Sequence, residues 1–79
     1  MIFEIRVDLK NGIFDPEGTN ILKTLKLLDI DVKSVNCSKI YSVEVNEENE
    51  KRAMEIVTDA ASKLLVNPVL HDFKITRLR

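Results

Sequence analysis

A length of 79 residues fits one compact domain, here taken as residues 1–79, and no more. Apolar residues make up 44% and charged residues 32%, with 13 acidic and 12 basic side chains intermixed for a net charge of −1. That balance argues against a disordered polymer and against a surface that would neutralise a row of nucleic-acid phosphates, and no apolar run approaches the roughly 20 residues that span a bilayer.

The single cysteine, Cys37, cannot form an internal disulfide, so a reducing, cytoplasmic setting is expected. The N-terminus enters an alternating strand pattern at once, unlike a signal peptide. A core in a chain this short rarely supplies more than about 3–5 kcal/mol of net stability. Without disulfides or a metal cluster to help, at least a homodimer is expected.

In chain order, Phe3, Ile5, Val7 and Leu9 alternate with Glu4, Arg6 and Asp8, which predicts a strand with one buried and one wet face. Asn11-Gly12 breaks it. In Asp15-Pro16-Glu17-Gly18, Pro16 suits a turn or a first helical position, and Asp15 can cap through its carboxylate. Gly18 inside a helix costs about 1 kcal/mol relative to alanine, so the regular helix is expected from Thr19. Ile21, Leu22, Leu25 and Leu28 then recur at helical spacing.

Val32–Cys37 and Ile40–Val45 read as two strands joined by a hairpin at Ser38-Lys39. Asn46 is the expected cap of a second helix, with Glu47, Glu48 and Glu50 in its first turn. Ala53, Ile56, Val57, Ala60, Ala61, Leu64 and Leu65 form its apolar stripe, and Asn67-Pro68 ends it. Val69–Leu78 is the last strand, with Phe73 and Ile75 facing the core. The order β-α-β-β-α-β predicts an α+β, ferredoxin-like sandwich: a four-stranded antiparallel sheet, strands in the order 4-1-3-2, with both helices on one face.

The chemistry is sparse. Cys37 and His71 are the only thiol–imidazole pair, and that strand order puts them on opposite edges, roughly 14 Å apart. Cys37 therefore reads as structural, buried or half-buried, and His71 as a surface or interface residue that its neighbour Asp72 cannot easily orient, because adjacent strand residues face opposite ways. One Cys and one His do not make a metal site. Gly12 and Gly18 are the only glycines, so there is no phosphate-cradling loop, and this chain alone is expected to bind no cofactor and no ATP. Glu4, Arg6, Asp8, Ser42, Glu44, Asp72, Lys74 and Thr76 are expected on the open sheet face, where the carboxylates oppose RNA. A small-molecule regulatory module of the ACT type shares the element order and stands as the alternative; its ligand would sit near the first strand–helix junction.

Two segments are more specific than turns need to be: Asp15-Pro16-Glu17-Gly18, and Lys63-Leu64-Leu65-Val66-Asn67-Pro68-Val69-Leu70-His71-Asp72-Phe73. Together, in this order and at this length, they resemble the PurS family, the small subunit of phosphoribosylformylglycinamidine (FGAM) synthase. The chain departs from the family at Val35-Asn36-Cys37-Ser38-Lys39, where only the valine and lysine hold, and at His71, which replaces an acidic residue.

The resemblance implies a non-catalytic subunit of an ATP-dependent ligase acting at the fourth step of purine synthesis, with glutamine as amide donor. It implies as partners a large synthetase subunit, PurL, which uses ATP and Mg, a glutaminase subunit, PurQ, and further copies of the same chain as a homodimer or homotetramer. PurS would bridge the two and assist ammonia transfer. Asp15, Pro16, Glu17, Gly18, Lys39, Asn67, Pro68, Asp72 and Phe73 are the expected partner contacts. Charge reversal at Asp15 with Asn67→Ala is expected to weaken assembly without unfolding the subunit.

Overall fold

The first strand, β1 (Ile2–Leu9), is the centre of the molecule in the computed structural model, which describes all 79 residues. It pairs antiparallel on one side with β2 (Ser38–Glu44) and on the other with β3 (His71–Arg77), giving a three-stranded sheet of order β2-β1-β3. Its alternation behaves as the side-chain period of two requires. Phe3, Ile5 and Val7 are buried on one face, each worth about 1.5–3 kcal/mol of burial. Glu4, Arg6 and Asp8 lie on the other, in register with Ser42, Ile40 and Ser38 on β2 and with Thr76, Lys74 and Asp72 on β3. The expected polar composition of that open face holds, with Ile40 added.

Three strands replace the expected four. The missing one is the outer edge, Val32–Cys37; the remaining three keep the ferredoxin-like order. That stretch forms no ladder, and its last amide is claimed by a side chain instead: Cys37 N–H donates to Asp15 Oδ2 at 2.8 Å. Ser38 and Lys39 are not a hairpin turn but the first residues of β2.

The first helix, α1 (Pro16–Leu27), starts earlier than its glycine suggests. Asp15 caps it by accepting from Gly18 N–H at 2.9 Å, and Pro16 takes the first position, where no amide is needed. Its C-terminus closes with Asp29 in the left-handed region, φ 60°, and Ile30 N–H bonded back to Leu25 C=O, a Schellman arrangement. The helix packs extensively against no other element.

The second helix, α2 (Glu50–Ala60), is capped by Asn49, not Asn46: Asn49 Oδ1 accepts from Arg52 N–H at 3.0 Å. Glu47 and Glu48 precede it, so only Glu50 meets its dipole. The helix then widens into a π turn, Ala61–Leu65, with Val66 N–H bonded to Ala61 C=O at 2.9 Å. The extra residue re-phases the stripe. Ala53, Val57 and Ala61 reach the core, Leu65 and Val66 follow them, and Leu64 is thrown outward at 84% exposure. On β3, Ile75 packs on the core, while Phe73 stays 40% exposed on the same face. The core is therefore small: Phe3, Ile5, Val7, Val45, Ala53, Val57, Ala61 and Val66. No helix is long and apolar enough to cross a membrane.

Candidate functional site

Because α2 covers only one end of the sheet, the other end of the same face stays open. Strand register puts Val7, Leu9, Lys39, Tyr41 and His71 there, on one side of the pleat. The start of α1 closes this area from above with Asp15, Pro16 and Glu17, and Leu65 of the π turn closes it from the side. The result is a cavity of ≈ 260 Å³. Four of the residues expected as partner contacts (Asp15, Pro16, Glu17 and Lys39) line it.

Of the other expected contacts, Pro68, Asp72 and Phe73 line a neighbouring depression with Lys10, Ser62 and Val66, and His71 borders both hollows; Gly18 and Asn67 line neither. The two segments singled out by sequence thus converge on adjoining hollows, although some 50 residues separate them. Cys37 and His71 line the same cavity, which corrects the expected separation. With the outer strand absent, only β1 stands between them, so two strand spacings apply, about 10 Å, instead of three. Tyr41, Leu65, Val7 and Leu9 were not among the expected contacts. The alternation of the two strands was the signal that places three of them on one face.

Asp15 is the hinge of the site. One carboxylate oxygen takes Gly18 N–H, the other takes Cys37 N–H, and its backbone carbonyl accepts from Thr19 Oγ1 at 2.7 Å and from Thr19 N–H at 3.0 Å. The Gly18 amide, and then the Cys37 amide, hold its carboxyl below the usual aspartate range. Gly18 is buried directly beneath: a Cβ there would run into the Val35 carbonyl oxygen and lie 2.8 Å from Asp15 Oδ2. Asp15 and Gly18 therefore join α1 to the segment before β2, and Pro16 and Glu17 form the exposed crest between them. The expected charge reversal at Asp15 would break this latch, so it cannot separate assembly from folding; Glu17 can.

Desolvation first, then the negative charges of Glu17 and Asp15, push the Cys37 thiol up, away from the thiolate that nucleophilic chemistry uses. Asp8 lies on the far face, where the Ser38 hydroxyl and then the Arg6 guanidinium hold its carboxyl below the usual range. On the other wall, Asn67 C=O accepts from Leu70 and His71 N–H, and its Oδ1 accepts from Val69 N–H at 3.0 Å. Asp72 turns away from His71 to pair with Lys10 at 3.5 Å.

The family model for PurS, phosphoribosylformylglycinamidine (FGAM) synthase, matches residues 2–79. The chain is 39% identical over 70 residues to the PurS subunit of FGAM synthase from Methanocaldococcus jannaschii, covering 87% of this chain and 84% of that one. The crystal structure of the PurS subunit from Thermotoga maritima superposes with a TM-score of 0.87 at 35% identity, over 98% of this chain and 90% of that one. A chain of the PurLQS assembly from Thermotoga maritima superposes with a TM-score of 0.84 at 32% identity, over 99% of both chains. With the family matched along nearly the whole sequence and the fold shared end to end, this chain belongs to the PurS family of FGAM synthase subunits.

Proposed function

We propose that this chain is the small, non-catalytic subunit of FGAM synthase, which joins the synthetase subunit PurL to the glutaminase subunit PurQ through the Asp15–Gly18 crest, Lys39 and the Asn67–Phe73 segment. The observation that carries it is the match over 99% of both chains to a member of the PurLQS assembly. ATP, with Mg, is consumed on the synthetase. The contribution of this chain is positional. Ammonia that escapes into water is diluted and protonated, and a subunit that seals the junction keeps it concentrated and nucleophilic.

Self-association belongs to the same reading. The chain exposes 6203 Å², against about 4,900 Å² for a compact protein of its size. The surplus, about 1,300 Å², exceeds the roughly 800 Å² that each partner gives up in a standard interface.

Reconstitution tests the proposal. The chain is mixed with PurL and PurQ and glutamine-dependent FGAM formation is followed. Activity should require all three, and Glu17→Lys combined with Lys39→Glu should weaken co-elution at least tenfold while leaving the thermal midpoint of the isolated chain in place. Full glutamine-dependent turnover without this chain would end the proposal.

A further inference from the structure

The loop between the π turn and β3 is tied almost entirely to itself. Asn67 supplies the carbonyl for Leu70 and His71 and the side-chain oxygen for Val69. Its own backbone amide points at the His71 imidazole, and Nδ1 accepts it at 3.0 Å. A ring nitrogen accepts only while it carries no proton; in the imidazolium both nitrogens are donors. The bond seen here therefore belongs to the neutral ring, with its proton on Nε2, and the charged ring would set two donors against each other.

We propose that His71 is a proton-operated pin. Neutral, it fastens the Asn67 amide and shapes the wall shared by the two hollows. Protonated, it lets that amide go, and the 67–71 loop loosens while the sheet stays intact. Charged and titratable groups face the ring from several elements. Asp15 and Glu17 face it across the cavity, the former occupied by two backbone amides, together with Cys37 from the segment before β2 and Lys39 and Tyr41 of β2. Lys10, after β1, is engaged with Asp72. The π turn offers only the uncharged Ser62 and Leu65.

The test is amide hydrogen exchange by NMR on the whole chain between about pH 8 and about pH 5, a window that spans the charge change of histidines in general. After correction for the intrinsic pH dependence of exchange, protection of the Asn67 amide should fall about tenfold, the weight of one hydrogen bond. It should fall with the same midpoint as the His71 ring proton shifts, while the β1 amides stay protected. His71→Phe, which keeps a ring but no acceptor, should show low Asn67 protection at both ends. Constant Asn67 protection while the ring titrates would overturn the proposal, and so would a pH-dependent loss that persists in His71→Phe. Should that variant fail to fold, the comparison of midpoints in the unmodified chain decides the matter alone.

Discussion

Asp15 is the residue whose surroundings decide most. Its carboxyl sits below the ordinary aspartate range because two amides point at it, so the unfolded chain binds the proton more readily than the folded one. The resulting stability is complete above the ordinary range and is lost as pH falls through the folded value. Asp15→Asn, which can keep only one of the two acceptors, should lower the thermal midpoint by several degrees at neutral pH. It should also flatten the fall of that midpoint on acidification, as measured by circular dichroism; an equally steep acid decline in the variant would show that other carboxylates carry it. Gly18→Ala should cost about 1–3 kcal/mol, because backbone at Val35 cannot move aside as a flexible side chain would. The cap was legible from sequence because Asp15 reaches a residue only three positions away. Its second bond, to an amide 22 positions on, was not, since nothing local encodes it.

At the scale of elements, β1 and the two helices followed from periodicity, whereas the edge strand did not materialise. Val32 and Val35 looked like strand residues, but a strand exists only through a neighbour, and this segment spends its terminal amide on Asp15. The cap expected at Asn46 was likewise displaced by geometry, since Asn49 is the residue that reaches Arg52 N–H. The π turn could not be read from residue spacing at all; it shows as the outward Leu64 and inward Leu65. One residue too many is absorbed there, so its removal should be tolerated. Deletion of Ser62 should leave the thermal midpoint within a few degrees. Deletion of the equally exposed Glu55 should unfold the chain, because it rotates Val57 and Ala61 by about 100° away from the sheet. Equal tolerance of both deletions would contradict the re-phasing.

The whole molecule is a slab of 51 × 26 × 14 Å with a radius of gyration of 16.1 Å, where about 12 Å is usual for its length. α1 and its flanks carry Phe14, Leu27 and Leu28 at 71%, 84% and 64% exposure. Exposed apolar surface of this kind marks a contact site, which fits the self-association proposed above. Leu27→Glu with Leu28→Glu should convert the oligomer to monomer by analytical ultracentrifugation and remove the concentration dependence of the thermal midpoint; a variant that sediments like the parent chain would place the interface elsewhere. The small length pointed to self-association, but only the fold locates the bare surface. The strand order has a consequence for synthesis. β1 is made before both strands that pair with it, and the second of them follows it by some 60 residues. Until β3 emerges, Phe3, Ile5 and Val7 have no finished sheet to enter, so the nascent chain carries this sticky stretch unsheltered while the intervening residues are made, and closure waits on a pairing distant in sequence.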